Sequence, residues 1–448
     1  MIQQLAKVVL FGATGDLSRR YLLPALGALV EARGVDRPLE IIGVGRKEMD
    51  DAAFRALVEK ALEKAPAAAR AALCERARYR QADAGEPGDV ARVFEGVDEP
   101  VLVYLALPPS AFAPAVTGLE RAKLEPGSLV VLEKPFGTDA ESARALNAQL
   151  ARSFSDDAVF RMDHFLGKQT VLNLLGLRFA NRIFAPVWSA EHVARVDITF
   201  DETIAVEGRM EFYDATGALR DMIQNHLLQL LCLVAMEAPA SCSGRDLQQA
   251  KATLFRAVRR LDADEVAAHT LRGRYTAGHG VRGYADEKGI DRARETETFA
   301  QVTLFVDNAR WRGVPFTLRS GKALDQDKRE IAIAFRPGPD HTFGAEADAR
   351  PNVLRLSLKP DTISLGFNVN GPGEEFDLER LDLVSTLAPH PLPDYARLLC
   401  DALHRDTTLS ISGPETVECW EIVEPILAAW RKGKRKLGEY AAGSAGPT

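Results

Sequence analysis

The sequence predicts an α/β domain with a doubly wound parallel sheet, followed by a larger α+β domain with a mainly antiparallel sheet. In the first half, short β-branched runs alternate with helical patterns, which is typical of a parallel sheet that helices cover on both faces. From about Val193 onward, strand-like segments follow one another with few helical segments between them. The pattern changes between Arg161 and Ala190, and we expect the domains to span residues 1–175 and 176–448.

Apolar runs that end in turn residues predict the strands of the first half. These strands are Lys7–Phe11, Leu39–Val44, Val101–Leu107 and Leu129–Leu132. An alanine-rich stretch between the second and third strands predicts one long helix over Ala52–Ala77. Ligands of parallel sheets bind beyond the carboxyl ends of the strands, so the residues that directly follow each strand are candidates for a binding site.

Alternating apolar and polar residues predict the strands of the second half. These strands are Val193–Thr203, Thr298–Val306, Glu330–Phe335, Val353–Leu358 and Thr362–Phe367. One segment of this half reads instead as a helix, and from Leu227 it is apolar nearly all round. A helix of that kind is expected to be buried.

Composition excludes several classes of protein. The chain has 448 residues, and its 56 Lys and Arg against 63 Asp and Glu give a net charge of −7, which argues against a nucleic-acid surface. The longest apolar run, near Leu227–Met236, is shorter than the ~20 residues of a membrane helix, and residues Met1–Leu10 lack signal-peptide features. Five scattered cysteines and no metal-ligand spacing predict free thiols and no metal site. We therefore expect a cytoplasmic protein that binds neither nucleic acid nor membrane.

A glycine turn after the first predicted strand is a candidate phosphate site. Residues Gly12–Leu17 read GATGDL and open a helical pattern, where free backbone amides can face a pyrophosphate. The motif lacks the full GxGxxG pattern because Leu10 replaces its first glycine, and a turn without a ligand is the alternative. Arg46 follows the second strand, where a cation favours NADP over NAD; a solvated loop arginine is the alternative.

Two further segments concentrate groups that can carry out chemistry. Arg161–Lys168 reads RMDHFLGK, whose cations suit a phosphate, although a surface salt-bridge cluster is equally compatible with this stretch alone. The predicted buried helix begins with four polar residues: Asp221, Gln224, Asn225 and His226. Polar groups at the start of a buried helix need partners or a cavity. A hydrogen-bonded core histidine is the alternative to a site there.

Ten motifs identify the family that the chain resembles. They are GATGDLS (12–18), IIGVGRK (41–47), YLALPPS (104–110), EKPFG (133–137), RMDHFLGK (161–168), LRFAN (177–181), RDMIQNHLLQ (220–229), LRGRYTAG (271–278), ETETF (295–299) and WRGVPFTLRSGK (311–322). In this order and spacing, the chain resembles glucose-6-phosphate dehydrogenase. The resemblance implies a Rossmann domain joined to an α+β domain, with NADP as cofactor, NAD as a weaker alternative, and a homodimer or homotetramer formed through the large sheet.

The resemblance also implies roles for individual residues. His226 is similar to the general base that takes the proton from the anomeric hydroxyl, and Asp163 to its carboxylate partner. The implied substrate ligands are Lys134, His164, Lys168, Glu202, Asp221 and Lys322. The implied cofactor ligands are Gly12, Thr14, Gly15, Asp16, Leu17, Arg46, Asp83 and Lys134.

Two residues depart from the family pattern near the substrate phosphate. Phe165 stands where the pattern has tyrosine, and Asp327 stands where relatives carry arginine or lysine. Lys328, one position further on, replaces the lost cation only if the loop shifts by one residue. The expected activity is oxidation of glucose 6-phosphate at carbon 1. Oxidation of a different sugar or modified sugar phosphate by the same mechanism is the first alternative, and a non-catalytic regulatory or scaffold subunit that keeps the fold is the second.

Overall fold

The computed structural model describes residues 5–34, 37–208, 210–338, 350–373 and 377–447. The chain divides into two compact units, each built from three segments. The first unit comprises Met1–Gly167, Pro239–Ala252 and His390–Glu418. The second unit comprises Lys168–Ala238, Thr253–Pro389 and Cys419–Thr448.

The first unit contains a six-stranded parallel sheet. Its strands are β1 (Lys7–Phe11), β2 (Glu40–Gly45), β3 (Ala77–Gln81), β4 (Leu102–Leu105), β5 (Leu129–Glu133) and β6 (Val159–Met162). Their order in space is β3-β2-β1-β4-β5-β6, and every neighbouring pair is parallel. The strand order reverses between β1 and β4, which confirms the predicted doubly wound sheet. Strands β4 and β5 are buried along their whole length, as expected when helices cover both faces.

The second unit contains a nine-stranded sheet. Its strands are β7 (Val193–Asp201), β8 (Thr270–Thr276), β9 (Phe299–Phe305), β10 (Pro315–Gly321), β11 (Lys328–Phe335), β12 (Val353–Leu358), β13 (Asp361–Asn370), β14 (Leu378–Thr386) and β15 (Gly438–Ala441). Their order is β14-β13-β12-β11-β7-β10-β9-β8-β15. The pairs β7–β10 and β8–β15 are parallel and the other neighbours are antiparallel, which confirms the prediction of a mainly antiparallel sheet.

Helices connect the strands of both sheets. The α-helices of the described residues are α1 (Leu23–Glu31), α2 (Asp51–Ala61), α3 (Ala67–Glu75), α4 (Pro87–Arg92), α5 (Phe112–Ala122), α6 (Ala140–Leu150), α7 (Gln169–Phe179), α8 (Met210–Ala218), α9 (Leu228–Ala235), α10 (Gly244–Ala257), α11 (Ala263–His269), α12 (Asp394–Leu403) and α13 (Gly413–Arg431). Short 3₁₀ helices lie at Pro109–Ala111, Asp156–Ala158, His164–Gly167, Tyr284–Asp286 and Arg292–Arg294. Within these described segments, no helix has both the length and the apolar character that crossing a bilayer requires.

The prediction of one helix over Ala52–Ala77 is wrong. The structure has two helices there, α2 and α3, and Pro66 is the residue that precedes α3. Proline has no backbone N–H and clashes with the preceding helical turn, so a helix cannot continue through it without a kink. The last residue of the predicted helix, Ala77, begins strand β3 instead.

The structure contains two π-helical segments, Ser18–Leu22 and Leu219–Leu227. The first continues into α1 and the second continues into α9, whose residues are all buried, as predicted. The second segment packs against β9 and β10 of the large sheet. Segments of this type are rare and are often found at functional sites. The first directly follows the candidate cofactor residues of the Gly12–Leu17 turn, and the second contains the candidate residues Asp221 and His226.

Candidate active site

The glycine turn after β1 has the conformation that a phosphate site requires. Gly12 has φ +75°, and a Cβ at this position would lie 2.2 Å from the carbonyl oxygen of Ala106. Its backbone N–H donates to Val44 O at 2.9 Å, which places the turn beside the end of β2. The following helix begins at Asp16, and the N–H groups of a first helical turn have no partner within the helix. The cradle of backbone amides therefore fits a nucleotide pyrophosphate.

Arg46 and Asp83 follow the two strands beyond β1. Arg46 directly follows β2 and is exposed, and its guanidinium forms no ion pair with any residue that the structure describes. Its carbonyl oxygen accepts a hydrogen bond from Gln81 Nε2 at 3.1 Å, which ties this loop to the end of β3. The half-buried Asp83 accepts a hydrogen bond from Gly85 N at 2.8 Å. The cation at position 46 is thus available to an anionic ligand.

Lys134 follows β5 and is half-buried, and its neighbour Glu133 is a buried acid that the sequence analysis missed. The hydroxyl of Tyr104 on β4 donates a hydrogen bond to Glu133 Oε1. Burial raises the pKa of Glu133 from 4.5 to about 7, against the opposing effects of Tyr104 and of the charge of Lys134. A buried acid that titrates near neutrality is typical of functional sites.

Asp163 and His164 lie at the end of β6, where the chain enters a 3₁₀ helix. Asp163 is buried, and its Oδ1 accepts a hydrogen bond from Phe165 N at 3.0 Å, which fixes the carboxylate at the start of this turn. The ring of His164 stacks on Tyr395 of α12 with centroids 5.6 Å apart and planes 10° apart. The Phe165 ring is buried and meets His164 edge-on at 5.1 Å. Lys168, half-buried, is the N-cap residue of α7 in the second unit.

The candidate base, His226, lies on the π-helical segment Leu219–Leu227. The four predicted polar residues of this segment are all buried, with His226 only 1% exposed. The backbone N–H of His226 donates to Asn225 Oδ1 at 2.6 Å, and Asn225 Nδ2 donates to Arg220 O at 3.0 Å. Asn225 therefore holds the backbone around the histidine.

The beginning of this segment is held by Glu297, which the sequence analysis also missed. Glu297 is buried, and its Oε1 accepts a hydrogen bond from Leu219 N at 3.0 Å. Gly217 makes this possible, because it has φ +69° and a Cβ there would lie 2.4 Å from Glu297 Oε1. Burial raises the pKa of Glu297. In the sequence, Glu297 belongs to the motif ETETF (295–299), but its neighbours there do not indicate a role for its carboxylate.

Glu202 and Lys322 come together at the carboxyl ends of two central strands of the large sheet. They directly follow β7 and β10, whose parallel pairing aligns Asp201 with Gly321. Lys322 Nζ contacts Glu202 Oε2, and both side chains are nearly buried, at 12% and 11% exposed. The structure adds a third residue, because Arg329 Nη2 lies 3.3 Å from Glu202 Oε1. No sequence pattern around Arg329 indicates this position.

The structure thus shows which of the predicted site residues lie together inside each unit. In the first unit it brings the turn Gly12–Leu17 beside the end of β2, and in the second unit it joins Glu202 to Lys322 and sets Asp221 on the same segment as His226. The pairing of Asp163 with His226, and the ligand roles of the individual residues, stay predictions.

Comparisons with known proteins match the whole chain. The family model described as the NAD binding domain of glucose-6-phosphate dehydrogenase matches residues 9–173. The model described as the C-terminal domain of glucose-6-phosphate dehydrogenase matches residues 175–448. Together the two models cover both sheets.

Curated proteins and solved structures agree with the family models. A glucose-6-phosphate 1-dehydrogenase of Gluconobacter oxydans is 40% identical over 462 residues, covering 98% of this chain and 94% of the relative. That of Zymomonas mobilis is 37% identical over 474 residues, covering 100% of this chain and 97% of the relative. A solved structure of glucose-6-phosphate dehydrogenase in complex with its substrate glucose-6-phosphate superimposes with a TM-score of 0.90 at 31% identity, covering 100% of this chain and 97% of that chain.

Proposed function

The chain belongs to the glucose-6-phosphate dehydrogenase family, and we propose that it oxidises D-glucose 6-phosphate at carbon 1 to 6-phospho-D-glucono-1,5-lactone with hydride transfer to NADP. This reaction opens the oxidative pentose phosphate pathway. The observation that carries the proposal is the match of both domain models over residues 9–448, at 37–40% identity to curated relatives of nearly the same length. The names of these relatives favour glucose 6-phosphate over another sugar phosphate, and an enzyme over a non-catalytic subunit.

A nicotinamide cofactor fits the first unit, and we propose that NADP is preferred to NAD. The turn at Gly12 offers backbone amides to the pyrophosphate, with Thr14 and Gly15 in the turn and Asp16 and Leu17 at the start of the helix. The exposed cation of Arg46 supports a contact with the adenosine phosphate that NAD lacks. Asp83 is proposed to lie on the adenosine side. When bound, the cofactor supplies a nicotinamide ring that accepts the hydride.

The chain's own residues handle the proton. We propose that His226 accepts the proton of the anomeric hydroxyl, which raises the electron density at carbon 1 and so assists departure of the hydride. Asp163 is the proposed carboxylate partner that stabilises the resulting imidazolium. A positioned base of this kind typically contributes ~10²–10⁴-fold. The burial of both side chains supports these roles, because charges interact more strongly away from water.

Six side chains are proposed to bind the substrate: Lys134, His164, Lys168, Glu202, Asp221 and Lys322. Of these, His164 and Lys168 carry the charge that suits a phosphate group. Lys134, which follows β5, is proposed to lie between the sugar and the nicotinamide. Glu202, Asp221 and Lys322 are proposed to hydrogen-bond the sugar, and the contact of Glu202 with Lys322 supports a shared role.

We propose that the chain forms a homodimer or homotetramer through the large sheet. The end strand β14 exposes Leu381, Leu383 and Val384, at 41%, 57% and 64% of their surfaces. Such apolar side chains on an edge strand support pairing with a second copy.

Five cysteines without a disulfide support a cytoplasmic location. The proposed functional division remains 1–175 for the cofactor and 176–448 for substrate and assembly.

Initial-rate kinetics on the purified protein test the function. We expect saturable reduction of NADP with glucose 6-phosphate, far weaker turnover with unphosphorylated glucose, and a lower KM for NADP than for NAD. Equal kcat/KM for glucose 6-phosphate and glucose would contradict the assigned substrate. A lower KM for NAD would contradict the assigned cofactor preference without affecting the reaction.

A further inference from the structure

Position 327 carries a carboxylate where relatives carry a cation, and the structure shows what this carboxylate does. Asp327 Oδ1 accepts hydrogen bonds from the backbone N–H of Thr203 at 2.9 Å and from its hydroxyl at 3.3 Å. These hydrogen bonds, chiefly the one from the backbone, lower the pKa of Asp327. Asp327 therefore holds the chain that follows Glu202, and its negative charge is engaged within the protein.

Lys328 does not take over the missing positive charge. Its side chain is 44% exposed, and its Nζ lies 3.1 Å from Glu330 Oε1. Lys328 is paired in register with Asp201, whereas Arg329 is paired with Phe200. Because side chains alternate along a strand, Lys328 and Arg329 project from opposite faces of the sheet.

Arg329 occupies the place beside Glu202 and Lys322. Its guanidinium lies over the Phe200 ring at 4.8 Å and is only 18% exposed. Its Nη2 approaches Glu202 Oε1 at 3.3 Å and Asp327 Oδ2 at 3.7 Å. The other two nitrogens, Nε and Nη1, donate to no acceptor among the residues that the structure describes. Stacking on an aromatic ring fixes the plane of a guanidinium and so prepares it for an anion.

The charges around Glu202 also favour an anionic ligand. Lys322 and Arg329 each approach one oxygen of the same carboxylate. With Asp327 included, the formal charge of this group is zero, because two cations face two carboxylates. Water screens the charge of Asp327, whose carboxylate is 49% exposed and accepts a hydrogen bond from Thr203. Lys322 and Arg329 are only 12% and 18% exposed, so their positive charges act more strongly on a ligand nearby.

We propose that Arg329 supplies a further cation that recognises the anionic group of the sugar phosphate in this chain, in place of the cation missing at position 327. The inference rests on the proposed function and deepens it, because it adds a determinant that separates sugar phosphates from neutral sugars. Arg329 stands two positions after Asp327, and its Nη2 lies 3.7 Å from Asp327 Oδ2, so the two side chains meet at the start of β11. The guanidinium thereby compensates for the lost cation without a change in loop length.

The test compares Arg329→Gln with the unmodified enzyme at fixed ionic strength. Loss of a hydrogen bond to a charged group corresponds to about 10- to 100-fold in affinity. We expect the KM for glucose 6-phosphate to rise by that factor, while kcat/KM for unphosphorylated glucose and the KM for NADP change less than about twofold. Inorganic phosphate serves as a second probe, and its inhibition constant against glucose 6-phosphate is expected to rise in parallel. Arg329→Lys keeps the charge but not the planar guanidinium, so we expect its KM for glucose 6-phosphate to lie between those of Arg329→Gln and the unmodified enzyme.

Lys328→Gln is the matched control, because it removes the neighbouring cation from the opposite face, and its KM for glucose 6-phosphate is expected to stay within about twofold. Equal losses for glucose and glucose 6-phosphate in Arg329→Gln would overturn the inference and make Arg329 a support for Glu202. An unchanged KM for glucose 6-phosphate would overturn it as well. If Arg329→Gln does not fold, Arg329→Lys combined with phosphate inhibition decides the question. An unmodified enzyme that does not discriminate glucose 6-phosphate from glucose contradicts the proposed function itself, before any variant is made.

Discussion

The two sheets present their functional side chains in different electrostatic states. Beyond the parallel strands of the first sheet, the Gly12 turn offers backbone amides, and the exposed guanidinium of Arg46 has no ion pair among the described residues. At the end of β7 in the large sheet, Glu202 is held by both Lys322 and Arg329 before any ligand binds. In the first region, the charge of Arg46 thus has no ion pair among the described residues, whereas in the second region the charge of Glu202 is already paired with two cations.

This difference determines how cleanly a substitution can be interpreted. Removal of an exposed, unpaired cation takes away a ligand contact and little else, since surface charges contribute little to stability. Removal of one member of a nearly buried group leaves its partner's charge uncompensated, which costs stability as well as binding. Variants of the first region should therefore change ligand affinity alone, while variants near Glu202 should change both.

The largest effect is expected in the second unit, from His226→Asn. The variant keeps a polar side chain but has no group that accepts a proton near neutral pH, so we expect kcat with glucose 6-phosphate to fall by about 10³-fold or more. The KM for NADP should stay within about threefold. The half-buried His192, changed to asparagine in the same unit, should leave kcat unaffected. Undiminished turnover in His226→Asn would mean that another group is the base.

Glu133 tests whether the first unit also contains a charge that is costly to bury. Its folded pKa of about 7 exceeds the ordinary value of 4.5, so the folded protein binds this proton more tightly than the unfolded chain. Stability therefore falls as pH rises from 4.5 to about 7, and the full penalty of ~3 kcal/mol applies above that window. Glu133→Gln keeps an acceptor for Tyr104 and removes the titration.

Urea unfolding between about pH 5 and pH 8 measures this effect. We expect the free energy of unfolding of the Glu133→Gln variant to fall less across the range than that of the unmodified protein. The exposed Glu75→Gln at the end of α3 is the control and should follow the unmodified protein. Parallel curves for Glu133→Gln and the unmodified protein would show that the buried carboxyl does not titrate in this window.

Arg46→Ala tests the unpaired cation directly. A guanidinium contact with a phosphate contributes about 1.5–3 kcal/mol, so we expect the KM for NADP to rise about 10- to 100-fold and that for NAD to change less than about twofold. Thermal stability should be unchanged. Arg121→Ala on α5, another exposed arginine, should affect neither cofactor. Equal losses for NADP and NAD would remove the assigned contact with the adenosine phosphate.

The extent to which each region could be predicted follows from how local its determinants are. Strand β1 and the Gly12 turn are adjacent in the chain, and the rule that ligands bind beyond parallel strands identified Arg46 from its position after β2. Strand β3 was missed because its sequence, ARYRQ, is half-exposed and follows an alanine-rich helix. Strand β10 was missed because it begins with proline, which a strand tolerates only at selected positions.

The site residues of the large sheet depend on pairings between distant segments. Arg329 reaches Glu202 only because antiparallel pairing sets β11 against β7, a relation between positions 127 residues apart. The sequence alone suggests that the carboxylate of Asp327 faces a phosphate, whereas the structure shows that it accepts hydrogen bonds from Thr203. Glu297 caps the histidine segment from another strand end. Periodicity identifies the elements, but it cannot state which side chains meet.

Phe165→Tyr is expected to have the smallest effect, and it tests which region binds the phosphate group of the substrate. The variant restores the hydroxyl of the family pattern in the first unit, and we expect the KM for glucose 6-phosphate to fall about three- to tenfold. This gain is smaller than that of a full charge-assisted hydrogen bond, because Phe165 is only 3% exposed and its tightly packed surroundings must make room for the added hydroxyl. Phe179→Tyr, on an exposed ring, should leave the KM unchanged. An unchanged KM in Phe165→Tyr, together with a large loss in Arg329→Gln, would assign recognition of the phosphate to the large sheet alone. The paired charges around Glu202 would then be the main determinant of substrate choice.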